Sequence, residues 1–245
     1  MRIKEKVANI DYSETRQFFK NRAQKFQEDN PYSVTMYQDN NKELVQERNK
    51  KEVGRILPML QLDERSRVLD IACGIGRWVD ALPGNIAEYC GVDFSSELIK
   101  IARERNTREK FSFIEGPANE VEQVLRHADK GTYNTILLMG IMIYLNDEDI
   151  LSVLEQVGNI CEEHALICIR EPVGIEERLT LKDFFSDELK DNYNAIYRTR
   201  RELGDFYAKT LFKKGFRIAE EGFLFEEEAL NNRKETSQYF YILRR

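Results

Sequence analysis

Two glycines and two acidic residues in the first half of the chain have a spacing that suits a nucleoside ligand. Asp70 lies just before the turn that contains Gly74 and Gly76, and Asp93 stands at the end of the next predicted strand. Glycines between a strand and a helix let a ligand approach the backbone, and the N–H groups that follow are free to bind it. A carboxylate at the end of the second strand can accept hydrogen bonds from both hydroxyls of a ribose.

The position of Asp70 indicates which nucleoside fits this turn. An acid directly before the glycines would repel a pyrophosphate and attract an ammonium group. A dinucleotide fingerprint also requires a third glycine or alanine, where this chain has Val79. S-adenosylmethionine carries a cationic amine and a ribose, so it suits both acids. A NAD-dependent oxidoreductase on the same kind of sheet is the alternative interpretation.

The elements that must position these residues alternate between strands and helices. Strands are predicted in residues 66–76 with the glycine turn, 88–95, 111–116, 133–145 and 164–172, the last ended by proline. Helices are predicted at residues 13–28 and 42–60, after Arg77, and at 95–106 with a serine at the start. This alternation implies a parallel sheet covered on both faces, and residues 216–225 and 237–245 predict a closing antiparallel hairpin.

The segment from Val68 to the C-terminus resembles the class I S-adenosylmethionine-dependent methyltransferase family. The sequence VLDIACGIG stands for that family's first motif, with Ala72 in place of its first glycine, and Gly74 and Gly76 match its cofactor-binding turn. Asp93 matches the ribose-binding acid. The resemblance implies a Rossmann-like, doubly wound α/β fold with seven strands, mostly parallel and with the last strand antiparallel. It also implies S-adenosylmethionine as the cofactor and S-adenosylhomocysteine as the product.

The resemblance extends the predicted cofactor site beyond the glycine turn. The full set is Asp70, Ala72, Cys73, Gly74, Gly76, Asp93, Phe94, Ala118, Asn119, Met139 and Gly140. Ala118 and Asn119 stand where the family usually has an acid for the adenine amino group, so backbone and apolar contacts to adenine are expected here. Met139 and Gly140 fall where the family lines the cofactor pocket, with a plain core role as the alternative for Met139.

Methyl transfer needs a base only when the acceptor must lose a proton during the attack. The chain has two histidines, and neither falls in a predicted site position. Glu171, at the end of the fifth strand, is the strongest acidic candidate, and an exposed strand-end acid is the alternative. Tyr144 takes a place that the family often gives to histidine and could orient the acceptor, with a packed aromatic as the alternative.

Residues 174–203 lie where the family commonly builds its acceptor site. They contain Tyr193, Tyr197, Arg198, Arg200 and Arg201 on an otherwise acidic chain. Arginine binds phosphate or carboxylate through two parallel hydrogen bonds, so we predict an anion-binding patch, with the tyrosines and one arginine sharing a helix face. A solvated helix whose arginines pair with nearby glutamates is the alternative.

The first sixty residues are predicted to form a helical cap that packs on the sheet or closes as a lid. Its loop, NPYSVTMYQDNN, is similar to bacterial methyltransferases of surface-polysaccharide gene clusters, as is the segment YNAIYRTRREL. That likeness places Arg22, Tyr32 and Tyr37 in the lid and makes Tyr32 and Tyr37 candidates for substrate binding. The predicted acceptor is a small, anionic molecule such as a sugar, sugar phosphate, nucleotide sugar or glycan end.

Composition limits the remaining function classes. The 245 residues carry 37 basic and 43 acidic side chains, a net charge of −6 that argues against nucleic acid or an anionic membrane as partner. No run is apolar enough for a signal or a membrane span, no metal site is indicated, and four unpaired cysteines suit the cytoplasm. A single domain over residues 1–245 is expected, with a homodimer left open. An inactive methyltransferase fold that serves as a binding protein is a further alternative.

Overall fold

The computed structural model describes residues 1–36, 41–186, 189–231 and 233–245. The strands in these ranges are β1 (Arg2–Lys4), β2 (Arg67–Ile71), β3 (Glu88–Asp93), β4 (Phe111–Glu115), β5 (Tyr133–Met139), β6 (Cys161–Gly174), β7 (Leu179–Ser186), β8 (Asp191–Tyr197), β9 (Arg217–Phe223) and β10 (Thr236–Arg244). The α-helices are α1 (Tyr12–Ala23), α2 (Lys42–Leu60), α3 (Ser96–Arg105), α4 (Val121–His127), α5 (Asp147–Ile160) and α6 (Arg200–Lys209).

Seven of these strands form one twisted sheet in the order β4-β3-β2-β5-β6-β10-β9. Strands β2 to β6 pair in parallel, whereas β10 pairs antiparallel with both β6 and β9. The predicted fold class is confirmed. The chain runs outward from β2 to β4 on one side and from β5 onward on the other, so a crevice opens beside the carboxyl end of β2, where open α/β sheets bind ligands.

The sheet is covered by helices on both faces because its central strands are apolar on both sides. Helices α4, α5 and α6 pack on one face through residues such as Leu125, Leu154 and Tyr207. Helices α2 and α3 pack on the other face, where Ile56 and Ile99 are buried. Helix α2 has the bounds that the sequence predicted, and α3 begins after Ser95, whose hydroxyl caps it.

A second, three-stranded antiparallel sheet with the order β1-β7-β8 corrects the prediction for the insertion. The helix expected through Tyr193 and Tyr197 is wrong, because NYNAIY pairs as β8 with β7. Tyrosine, isoleucine and asparagine side chains alternate there between two faces, as a strand requires. The N-terminal residues Arg2–Lys4 complete this sheet, so the cap predicted as helical also supplies a strand.

Three other predicted boundaries differ from the structure. Helix α1 ends at Ala23, and the segment after Gly76 makes only a short 3-10 helix, since Pro83 and Gly84 follow closely. Strand β6 continues through Pro172 to Gly174. This is tolerated because β5 ends opposite Arg170, which leaves β6 with a single neighbouring strand at the proline.

Arg198 connects the insertion to the main domain, and its loss should destabilise the fold. Its guanidinium is buried and donates hydrogen bonds to Asp147 and to the main-chain oxygens of Met142 and Leu145. We expect Arg198→Met to lower the free energy of unfolding by about 3 kcal/mol, because it leaves buried acceptors without a donor. Urea denaturation measures this, with the exposed Arg201→Met as a control that changes stability by less than about 0.5 kcal/mol. A loss below about 1 kcal/mol for Arg198→Met would contradict the assignment.

Candidate active site

An open cleft of about 1160 Å³ lies beside the carboxyl ends of β2, β3 and β5. The predicted cofactor residues that line this first cleft are Asp70, Ala72, Cys73, Gly74, Asp93, Phe94, Ala118, Asn119, Met139 and Gly140. Gly76 is the exception, since it faces the ring of Phe113, only 2.9 Å from where a Cβ would stand. Gly76 therefore allows the turn to pack closely against the ring of Phe113.

The turn after β2 depends on left-handed backbone conformations. Gly74 has φ +55°, and a Cβ there would come within 2.7 Å of Thr35. Ala72 also has a positive φ, 62°, at the position where the related family usually has glycine. The main-chain N–H groups of Ala72 and Cys73 both donate to the carbonyl of Val92, which holds the strained turn against β3.

Asp93 is fixed by two backbone donors at the edge of the first cleft. One carboxylate oxygen accepts from the N–H of Gly74 and the other from the N–H of Ser95, both at 2.9 Å. Burial raises the pKa of Asp93 to about 6, and these two hydrogen bonds oppose the rise. Each carboxylate oxygen still has a lone pair for a further donor, as a pair of ribose hydroxyls would provide.

Asp70 is a second buried acid on the same cleft. The hydroxyl of Tyr89 donates to its carboxylate at 2.9 Å. Burial raises the pKa of Asp70 to about 7, and the nearby charge of Asp93 adds to the rise. An ammonium group in the cleft would relieve both effects. The two acids therefore suit a ligand with a cationic amine and a ribose, as S-adenosylmethionine has.

A second open cleft, of about 840 Å³, adjoins the first. The residues that line both clefts are Phe19, Thr35, Met139, Gly140, Tyr144 and Arg170. Aromatic side chains form one wall of the second cleft, namely Phe18, Phe19, Tyr144, Tyr193 and Tyr197. Amide and hydroxyl side chains also line it, namely Asn231, Thr236, Ser237 and Gln238. This amphipathic chamber is open toward the first cleft.

The predicted arginine patch on the insertion does not form. Arg198 is turned into the protein by its bonds to Asp147 and the main chain. Arg200 stacks over the rings of Phe223 and Tyr239, and Arg201 is exposed at the start of α6. None of the three lines either cleft, because β8 ends before them and α6 carries them away. Tyr193 and Tyr197, by contrast, line the second cleft as predicted.

Other arginines supply the positive charge in the second cleft. Arg22, Arg48 and Arg170 line it, and Glu52 is the acidic residue there. Glu52 accepts from Arg77 at 2.6 Å and from Arg170 at 3.3 Å, which lowers its pKa despite its burial. The sequence contains one signal that could have found this cluster, namely the charged pair of Arg48 and Glu52 on the buried face of α2.

Tyr144 and Glu171, the two predicted catalytic residues, lie in different surroundings. Tyr144 lines both clefts, so its side chain is in a position to contact an acceptor, as predicted. Glu171 lines neither cleft and is 1% exposed, accepting from the N–H groups of Met142 and Ile143. Burial raises the pKa of Glu171 to about 7. The prediction of Glu171 as a candidate catalytic base is corrected, since Glu171 lines neither cleft and supports the turn that carries Tyr144.

The N-terminal segment borders both clefts. Arg22 donates to the main-chain oxygens of Ser33, Val34 and Met36, which fixes the short 3-10 helix before Thr35. Tyr32 lines neither cleft, and its hydroxyl donates to Asp80 at 2.7 Å. The predicted substrate contact of Tyr37 lies outside the described residues.

The part of the chain that the structure describes brings together no group of three histidine, cysteine or acidic side chains that could hold a metal ion. Its helices include none that is both long and apolar enough to cross a membrane.

Comparison with known proteins agrees with the fold. Residues 68–164 match the family model described as a methyltransferase domain. No protein with a curated description matches the chain significantly.

Among solved structures, a magnesium protoporphyrin IX methyltransferase from Synechocystis with bound S-adenosylmethionine is 14% identical with a TM-score of 0.63, covering 98% of this chain and 99% of that one. A SAM-dependent methyltransferase from Leishmania major is 15% identical with a TM-score of 0.63, covering 92% and 82%. The phosphoethanolamine N-methyltransferase 1 of Haemonchus contortus is 18% identical with a TM-score of 0.64, covering 94% and 48%.

These findings define the fold. The chain has the fold of the S-adenosylmethionine-dependent methyltransferases, and its residues 68–164 match the model of a methyltransferase domain. The predicted resemblance is confirmed, with S-adenosylmethionine as the cofactor that this class uses. When bound, that cofactor supplies an electrophilic methyl group on a sulfonium. Asp70, Gly74 and Asp93 line the first cleft and are the residues predicted to hold it.

Asp93→Ala should weaken the binding of S-adenosylhomocysteine. The ribose hydroxyls lose a charged acceptor worth about 1.5–3 kcal/mol, which is about a 10- to 150-fold rise in Kd. Isothermal titration calorimetry measures the change. Glu115→Ala is the matched control, because Glu115 lies opposite Asp93 on β4, is exposed and lines neither cleft. Equal affinities for Asp93→Ala and the wild type would place the ribose elsewhere.

The affinity for S-adenosylhomocysteine should rise with pH. Its ammonium group needs Asp70 in the charged form, and the pKa of Asp70 is about 7 before binding. We expect Kd at pH 6 to be about tenfold weaker than at pH 8. Asp70→Asn should remove most of this dependence. In the protein without ligand, pH acts in the opposite direction. The contribution of protonated Asp70 to the stability of the folded state is lost as the pH rises through 7, because its pKa is raised by folding. A Kd that does not vary with pH in the wild type would contradict the role of Asp70.

Proposed function

We propose that this protein transfers a methyl group from S-adenosylmethionine to an oxygen or nitrogen atom of a small, anionic acceptor in the second cleft. A sugar acid, sugar phosphate, nucleotide sugar or glycan end has the required size and charge. The proposal rests on one observation: buried arginines line a chamber that opens directly onto the predicted cofactor site.

The charges of the second cleft favour an anion. Its described lining includes Arg22, Arg48 and Arg170 against a single acid, Glu52, and that acid is already paired with Arg77 and Arg170. Arg48 is 3% exposed and Arg22 is 4% exposed. Arginines held in a partly dry site bind a phosphate or carboxylate more strongly than exposed ones do, because water screens the interaction less.

The walls of the second cleft favour a flat or cyclic acceptor. Tyr144 and Tyr193 stand edge to face, with ring centroids 6.1 Å apart, and the hydroxyls of Tyr193 and Tyr197 are 3.0 Å apart. Such a wall packs against the C–H face of a sugar or against an aromatic ring. Gln238 and Ser237 add polar groups to the lining, as the hydroxyls of a sugar would need.

One of the solved structures contains an anionic small molecule, which is consistent with an anionic acceptor. The Haemonchus contortus enzyme is complexed with phosphoethanolamine, which carries a phosphate. At 18% identity this likeness extends to the fold, so the acceptor of the present chain depends on its own arginines. The direct test is transfer of a labelled methyl group from S-adenosylmethionine to glucuronate, glucose 6-phosphate and UDP-glucose, with glucose as the neutral control. Transfer to glucose alone would contradict an anionic acceptor.

Arg48→Met should separate acceptor binding from cofactor binding. Arg48 lines only the second cleft, so we expect its loss to raise KM for the acceptor about tenfold or more, the equivalent of a charged hydrogen bond of about 1.5–3 kcal/mol. The Kd for S-adenosylhomocysteine should stay within about twofold. Lys50→Met, on the exposed side of the same helix, is the control for the loss of a positive charge. Steady-state kinetics and calorimetry measure the two constants, and an unchanged KM would remove Arg48 from the acceptor site.

A further inference from the structure

The junction between the two clefts contains a single charged side chain, among the residues that the structure describes. Of the six residues common to both linings, Arg170 is the charged one, and Tyr144 is the one other titratable residue. The remaining four are Phe19, Thr35, Met139 and Gly140. A reacting atom at this junction therefore meets a guanidinium, and the described lining offers it no histidine, lysine or carboxylate there.

The guanidinium of Arg170 is held firmly at the junction. It donates to Glu52 at 3.3 Å and to the side-chain oxygen of Gln238 at 3.4 Å. On its other side it packs against the backbone of Gly140, where a Cβ would lie 2.7 Å from one of its nitrogens. Gly140 has φ +87°, so the left-handed turn after β5 leaves the space that the guanidinium fills.

The described acids near the junction are poorly suited to remove a proton from an acceptor. Glu52 shares one oxygen between Arg77 and Arg170, and this pairing lowers its pKa. Asp70 and Asp93 face the cofactor side, and Glu171 lies beneath the turn outside both clefts. An acceptor that reacts here is best served by an atom that is already an anion at neutral pH.

We infer that the methyl acceptor is a carboxylate oxygen and that the product is a methyl ester. This inference rests on the proposed function. One carboxylate oxygen accepts hydrogen bonds from Arg170, and the other attacks the methyl group. A C–O bond forms as the C–S bond of the sulfonium breaks, and the electron pair of that bond remains on sulfur. Anion and cation become two neutral centres, so no proton is released and no base is required.

The surroundings of the junction favour this reaction over attack by a hydroxyl or an amine. A hydroxyl must lose a proton to a base that the described junction lacks. An amine is protonated at neutral pH and would stand beside Arg170 as a like charge. A carboxylate, in contrast, is attracted by Arg170, and the rings of Phe19 and Tyr144 line the same junction without a charge of their own at neutral pH.

The test uses the stability of the product to alkali. The full chain is incubated with S-adenosylmethionine labelled in its methyl group and with glucuronate, 4-hydroxybenzoate, glucose 6-phosphate or a deproteinised bacterial extract. Glucuronamide and 4-hydroxybenzamide are the matched controls without a carboxylate. Methyl esters release volatile methanol in alkali, whereas methyl ethers and methylamines do not.

Alkali-volatile label from at least one carboxylate arm or from the extract, with none from the amides, is the expected result. Label that appears only in an alkali-stable product would overturn the ester inference and leave the proposed methyl transfer intact. No transfer to any arm would contradict the proposed function itself.

Variants of Arg170 test the inference independently. Their steady-state kinetics are measured with the carboxylate that becomes labelled in that assay. Arg170→Met should raise KM for the carboxylate at least tenfold, and Arg170→Lys should recover part of the loss. Arg126→Met, at an exposed arginine of α4, is the control. Equal KM values for Arg170→Met and the wild type would remove Arg170 from acceptor binding and overturn its role here.

Discussion

The carboxylate of Asp93 is the interaction on which the cofactor side of the molecule depends. It is 5% exposed, and it accepts one N–H from Gly74 and one from Ser95. A buried carboxylate is costly unless it is hydrogen-bonded, so the end of β3, the glycine turn and the start of α3 must stay in register. Ser95 strengthens this arrangement because its hydroxyl also caps α3 at Leu98. The same anion that organises these elements is available to a ribose.

The second cleft is organised by a different set of charges. Glu52 on α2 holds Arg77, which follows the glycine turn, and Arg170, which lies on β6 opposite the end of β5. Helix α2 thereby connects the two clefts. Arg170 is thereby fixed beside both clefts by a residue that is far from it in sequence. The anionic acceptor proposed for the second cleft depends on this long-range pairing.

The sequence was sufficient for the parts of this protein that depend on local patterns. Asp70, the glycine turn and Asp93 were predicted because strand, turn and acid follow one another along the chain, and the structure brings them to one cleft. The acceptor side depends on long-range packing instead. Arg198 was predicted to bind an anion, but Asp147 and the main chain of a distant turn occupy it. Arg170 was missed because a single arginine within a strand has no local pattern that distinguishes it.

The most direct test of the account is the thermal unfolding of the wild-type protein with S-adenosylhomocysteine and, in parallel, with NAD. Only a ligand that binds the folded state raises the midpoint. We predict that S-adenosylhomocysteine at about 100 times its Kd stabilises the fold by about 2.7 kcal/mol and that NAD at the same concentration has no effect. Stabilisation by NAD without stabilisation by S-adenosylhomocysteine would contradict the assignment of Asp70 and Asp93, and with it the proposed methyl transfer.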